Sequence, residues 1–298
     1  QKRISYILKN NQFIRNYEPV KLSDELRPHL CKLQDVDELS RIILCEPSKF
    51  RELIESYENN YPNSINREEA NSDKCDYLTL HSIFYKYGYD NPNFSKNRFI
   101  ELLDIDTCPY CNRSYIYRLD KSKNIKPEID HFYPKTIYPF LAASFYNLIP
   151  SCQTCNGFSG KGSRDTYKEK AVNPYLLNHD HFKFTYDLIS MSLFNPISTK
   201  GSIKVRFEKR IEENDDLFKL SELYEKHEDH VLELIIKSQL QYSESYRKYL
   251  KKYDRLNFSD SEIDRLITGN YTNLDELHKR PLSKLYRDIV LELGLIKF

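Results

Sequence analysis

Glycine is scarce in this chain, with seven in 298 residues, where an average protein carries roughly 7%. No apolar run approaches the roughly 18 residues needed to cross a bilayer, which argues against a membrane protein. The N-terminus, Gln1-Lys2-Arg3, has no long apolar stretch resembling a signal peptide. It also lacks an initiating methionine, so the chain is expected to have been processed or trimmed. Internal repeats and low-complexity tracts are missing too. Nor is there an excess of one charge: 45 basic and 44 acidic residues nearly cancel, so total charge points to no partner. What remains is 40% hydrophobic and 30% charged. That balance suits a soluble globular protein with a sizeable core, built as one large domain or two ordinary ones.

The charge is unevenly spread. Between Pro109 and Ala171 there are ten Lys or Arg against five Asp or Glu, leaving 35 basic and 39 acidic residues elsewhere. A basic segment in a slightly acidic protein is a footprint for a polyanion, and equally for a solvated basic loop. Organisation changes along the chain as well. Residues 1–107 read as a helical N-terminal region. Leu39, Ile42 and Ile43 follow helical spacing, as do Phe50, Leu53, Ile54 and Tyr57. Pro62 and the polar run from Asn63 to Asp73 read as a loop. Ser95 is a good N-cap for a last helix with Phe99, Leu102 and Leu103 on one face. Residues 167–298 read as a strand-plus-helix domain suited to docking a partner. Phe182, Phe184, Tyr186 and Leu188 alternate, as do Ile203, Val205 and Phe207, with Pro196 and Gly201 in the gap. From Asp216, the series Leu220, Leu223, Tyr224, Val231, Leu234 and Ile235 predicts one long amphipathic helix.

Between these regions, residues 108–166 carry two tight cysteine pairs. Cys108-Pro-Tyr-Cys111 and Cys152-Gln-Thr-Cys155 are separated by forty residues. A Cys-x-x-Cys turn presents two thiolates to one metal, and two such turns complete a tetrahedral zinc site with no open position. Zinc here is therefore expected to be structural. The bland readings are two disulfides, disfavoured in a reducing compartment, or four buried thiols. Cys31, Cys45 and Cys75 lack such spacing and read as buried small hydrophobes.

Between and after the pairs lie Glu128-Ile129-Asp130-His131, then Asn147, then Asn156 directly behind Cys155, then Gly160-Lys161-Gly162. This order resembles the HNH endonuclease family, whose core is a β-hairpin followed by a helix around one divalent metal. Four-cysteine zinc sites bracket that core in many members. The resemblance covers about 108–162 and implies an α+β protein with a zinc-stapled ββα-metal core. It makes His131 the general base that takes a proton from the attacking water. Asp130 becomes the adjacent metal ligand and Asn156 the second one, both holding magnesium or manganese. Asn147 would order the hairpin loop and hold the histidine. Family members often carry a lysine three or four residues past the last position, whereas Lys161 comes five later. Lys161 and Arg164 are accordingly open between phosphate contacts and solvated side chains.

The implied activity is hydrolysis of nucleic-acid phosphodiesters, with DNA placed ahead of RNA. The long flanking regions look like those of HNH proteins in bacterial anti-phage systems, the Septu-type and retron-associated nuclease subunits in particular. That likeness implies a partner ATPase in a hetero-oligomer and a bacterial cytoplasm. The alternative is a non-catalytic zinc module that binds nucleic acid or scaffolds a complex. A zinc-dependent nucleobase deaminase fits poorly, because Pro109 sits inside the first pair and His131 precedes Phe132-Tyr133. His179 and His181 around Asp180 read as a turn before a strand. Most of the 24 tyrosines should be packing residues; Tyr110, Tyr115 and Tyr133 are the candidates for stacking on a base.

Overall fold

Helices alternate with three small two-stranded sheets among the residues that the computed structural model describes, which are 1–67, 74–119, 126–158, 160–190, 201–239, 244–252 and 257–296. The class is α+β, as expected. Pro196 and the 68–73 part of the expected loop lie outside the described residues. The chain forms two units. One takes Gln1–Leu103, Glu128–Pro150 and Lys161–Leu176; the other takes Asp104–Pro127, Ser151–Gly160 and Leu177–Phe298.

In the first unit, α1 (Lys2–Asn10) leads into a hairpin of β1 (Gln12–Arg15) and β2 (Glu18–Lys21). Asn16 and Tyr17 both take left-handed backbone angles there, the pairing that a two-residue primed turn requires. The helical reading of 1–107 missed this hairpin, since Tyr17 carries none of the usual turn chemistry. Next come α2 (Arg27–Lys32), α3 (Val36–Ile43), α4 (Phe50–Asn60) and α5 (Cys75–Leu80), which runs on as a π-helical stretch, His81–Tyr89. Asp35 caps α3 by accepting from the Asp37 and Glu38 N–H groups. The core gathers Ile4, Leu26, Leu30, Phe50, Ile54 and Phe140, all fully buried, and Tyr57 stacks on Phe140 at 3.7 Å. Beyond it, α6 (Lys96–Leu103) starts where expected, with Ser95 Oγ accepting from the Arg98 N–H. Its buried face is Phe99 and Ile100, whereas Leu102 is 62% exposed, so the expected face is turned by a residue. The second sheet of the chain pairs β3 (Glu128–His131) with β4 (Leu148–Ser151).

In the second unit, a four-residue helix α7 (Gln153–Asn156) precedes β5 (Lys183–Leu188) and β6 (Ile203–Lys209), an antiparallel pair matching the expected strands. The expected single helix from Asp216 is instead α8 (Glu212–Phe218), α9 (Leu220–Tyr224) and α10 (Glu228–Gln239). Lys219 breaks it with φ 54°, and Asp215 fixes the break by accepting from both the backbone N–H and the hydroxyl of Ser221. Then α11 (Glu244–Lys251), α12 (Asp260–Thr268), started by a Ser259–Glu262 capping box, and α13 (Ser283–Glu292) follow. The rings of Phe184 and Phe207 meet Tyr224, joining the strands to α9.

One buried ion pair ties β5 to α13. Asp288 accepts from the Phe184 N–H at 2.8 Å and from Lys284 Nζ at 2.6 Å. Burial pushes the Asp288 carboxyl up and the Lys284 ammonium down, both against their mutual attraction. Asp288→Ala should therefore cost about 3–5 kcal/mol in a denaturant unfolding curve, because it strands a buried ammonium. An Asp288→Leu/Lys284→Met double variant should recover most of that loss.

Candidate functional site

The four cysteines of the two pairs come together in the second unit. Their sulfurs all lie within 4.8 Å of one another, and Cys111 Sγ is 3.9 Å from Cys152 Sγ. A tetrahedron of sulfurs about 2.3 Å from zinc has edges of about 3.8 Å, so the donor set fits one zinc ion. Local sequence explains the arrangement. The Thr107–Tyr115 bridge and the Cys108 N–H donating to Ser114 O close a knuckle around Cys108 and Cys111. Asn112 takes φ 47°, letting its N–H reach Cys108 O at 2.7 Å, while the Arg113 N–H points at Cys111 Sγ at 3.4 Å. On the other side, Cys152 begins α7 and Cys155 is held one turn later. Gly160 must be glycine: a Cβ there would sit 2.4 Å from Thr154 O and 2.5 Å from Cys155 O.

The thiols are electrostatically unequal. Burial pushes Cys108 up, and hydrogen bonds from the other thiols pull Cys152 down. Four thiolates at this spacing would need a cation to balance their charge, which a zinc ion would supply. Below the cluster, Tyr224 donates its hydroxyl to Cys111 O at 2.6 Å, fixing the knuckle to α9. All seven cysteines are free thiols; Cys45 is buried, Cys75 half-buried, and Cys31 exposed on α2, contrary to the expectation that it packs in a core.

Asp130, His131 and Asn147 come together in the first unit, at the end of the β3–β4 sheet. His131 Nε2 lies 3.1 Å from Ala142 O. A carbonyl only accepts, so Nε2 carries the proton and Nδ1 keeps its lone pair. Burial, with Lys135 and Lys161 adding repulsion, pushes the imidazole pKa down to about 3 and keeps it neutral. Tyr89 meets the ring edge-on at 4.5 Å. Asn147 is fully buried and organises the 132–147 loop. Its Oδ1 accepts from the Tyr133 N–H at 2.7 Å, and its Nδ2 donates to Tyr133 O at 3.1 Å and Leu141 O at 3.0 Å. Leu141 precedes the residue that accepts from His131. A backbone bond from Phe132 N–H to Asn147 O, and one from Thr166 Oγ1 to Phe132 O, complete the frame.

Lys161 sits inside this frame rather than in solvent. It is 1% exposed, and its ammonium donates to Asp130 Oδ1 at 2.9 Å, His131 O at 2.8 Å and Gly162 O at 3.5 Å. Arg164 is exposed and pairs with Glu169 at 2.9 Å. Asn156 ends α7 in the second unit, half-buried, with its N–H bonded to Cys152 O at 3.0 Å. Among the tyrosines singled out, Tyr133 is buried and Tyr110 is buried against Phe218 at 4.2 Å, so neither presents a ring. Tyr115 is exposed and stacked on Tyr117. His179 and His181 lie in a turn, where the Asn178 N–H donates to His181 Nδ1. Sequence reasoning passed over Lys96, Lys135 and Tyr89, which face His131. Lys135, four residues after His131, was the available signal.

A stretch of 67 residues is 43% identical to the Septu protein PtuB of Bacillus thuringiensis. It makes up 22% of this chain and 23% of that protein, so the chain spans under a quarter of its relative's length in the match. No protein-family model matches the chain, and neither does any solved structure. No helix among the described residues is long and apolar enough to cross a membrane.

Two outcomes follow for the site's framework. The purified protein should carry one zinc per chain by elemental analysis, and Cys152→Ser should lose it. Asn147→Ala should leave zinc in place but lower stability by about 2–4 kcal/mol, read by thermal unfolding, since it orphans buried Tyr133 and Leu141 groups.

Proposed function

We propose that this protein is a metal-dependent endonuclease of the HNH type, the nuclease component of a bacterial anti-phage complex related to Septu. One observation carries the reading: a buried, neutral imidazole whose Nε2 proton is committed to Ala142 O, leaving Nδ1 with its lone pair as a proton acceptor. A general base has to be unprotonated before it meets water, and this tautomer meets that condition at Nδ1. The partial likeness to PtuB and the four-cysteine cluster support it.

In this reading His131 Nδ1 removes a proton from water as the water oxygen attacks phosphorus. The bond from phosphorus to the 3′-oxygen breaks, that oxygen takes a proton from solvent water, and the products end in a 5′-phosphate and a 3′-hydroxyl. Asp130 and Asn156 would each supply an oxygen of the hard kind that magnesium and manganese take. When bound, such an ion stabilises charge on the scissile phosphate and the leaving oxygen. Asn147 keeps the loop, and through it Ala142 O, in register with the histidine. Lys161 orients Asp130 and fixes the His131 carbonyl. The four-cysteine zinc is structural. DNA is the substrate put first, and a partner ATPase in the cytoplasm is the expected companion.

The Lys161–Asp130 pair favours the second reading, a zinc-containing module that scaffolds or binds nucleic acid without cutting it. There, the buried ion pair would simply be structural. Cleavage assays separate the two. His131→Ala should cut plasmid DNA about 10²–10⁴-fold more slowly than the parent while keeping its zinc and its fold. Parent activity should also vanish without added magnesium or manganese. A His131→Ala protein that cuts as fast as the parent would sink the catalytic assignment.

A further inference from the structure

Three lysines crowd His131, and their ammonium groups are spent very differently. An ammonium has three N–H donors. Lys161 directs all of its own at Asp130, the His131 carbonyl and the Gly162 carbonyl, at 2.9, 2.8 and 3.5 Å. Nothing remains to offer a substrate. Lys96 sits 3.7 Å from Asp90, a long contact that Asp90 shares with Lys86 at 3.6 Å. Lys135 has neither an ion pair nor a hydrogen bond among the described residues, although it is half-buried.

What holds Lys135 is aromatic. Its Nζ lies 4.8 Å from the Tyr85 ring centre and 5.8 Å from that of Tyr89. Lys96 Nζ is 4.3 Å from the same Tyr89 ring, which also makes the T-shaped contact with His131 at 4.5 Å. Tyr85 and Tyr89 stack on one another along the π-helical stretch, a rare local geometry that is frequent at functional sites. One ring therefore gathers two ammonium groups and the imidazole. Ring faces position a cation without neutralising it. The charges facing Lys135 are Asp130 and Asp90 on one side and Lys96 and Lys161 on the other. Each carboxylate already has its own lysine. Burial and the two neighbouring lysines disfavour the Lys135 charge. An arriving anion would relieve that cost.

We propose that Lys135, with Lys96 beside it, binds a backbone phosphate of the nucleic-acid strand next to the one presented to His131. The proposal rests on the nuclease reading of His131. It gives Lys135 and Lys96 the phosphate contact that motif order gives to Lys161. Backbone phosphate, rather than a base, is the ligand because ammonium is a point charge with no shape to read a base edge.

Salt dependence tests this directly. Full-length His131→Ala protein, which holds its substrate uncut in this reading, is titrated with a fluorescein-labelled oligonucleotide over a series of NaCl concentrations. Adding Lys135→Gln should reduce the slope of log K against log salt by about 0.7–0.9, the amount expected for one lost phosphate contact. Lys168→Gln, an exposed lysine away from the site, should leave the slope alone. With His131 restored, Lys135→Gln should raise KM and leave kcat within a few-fold. A melting temperature matching the parent's shows that the fold is intact. The proposal is overturned if the Lys135→Gln slope equals that of its background, or if the background protein shows no salt-dependent binding. Undiminished cleavage by His131→Ala would instead defeat the nuclease reading, and a reduced slope would still report Lys135 on phosphate.

Discussion

A buried ammonium has to be surrounded by oxygen, and the first unit is built around satisfying that demand at Lys161. Removing such a charge from water costs several kcal/mol unless it is closely paired. Asp130 supplies the counter-charge, and the carbonyls of His131 and Gly162 supply the rest. Carbonyls are available for this only where the backbone leaves a regular ladder. The end of β3 and the turn at Gly162, with φ 52°, meet that condition. The same irregular stretch frees Phe132 O for Thr166 and Ala142 O for His131. Asp130 and His131 are thus held by one connected set of polar bonds, in which Asn147 anchors the returning loop.

That set is closed off largely by aromatic rings, with Ile100 and Leu148 packed among them. Tyr89, Phe94, Phe99 and Phe145 form a run of edge and tilted contacts on the α6 side. Rings exclude water, which lowers the imidazole's affinity for a proton, yet their faces still accept ammonium groups. A neutral histidine and charged lysines can therefore share one small region. An aliphatic lining would have supported the first and rejected the second.

Much of the fold could be read directly from sequence, because the rules involved are local. Strands β5 and β6 followed from strict alternation, α3 and α4 from helical spacing, and the four clustered sulfurs from the Cys-x-x-Cys turns. Failures arose where long-range contacts decided. Lys219 breaks a helix whose apolar spacing continues across it, because Asp215 captures Ser221. Ile100 rather than Leu102 is buried because neighbouring rings choose the face of α6. Lys161 reads as a surface lysine until Asp130, thirty-one residues earlier, is brought against it. Lys135 and Lys96 share no motif at all; only the fold assembles them on Tyr89.

The cysteine knuckles also act through connectivity. A metal shared by Cys111 and Cys152 would close the forty residues between them into a ring. That ring contains β3, the 132–147 loop and all of β4. Closing a chain loop lowers the entropy of the unfolded state, by more for longer loops. A bound ion would therefore restrict how far Asp130, His131 and Asn147 can stray in the unfolded chain without touching any of them.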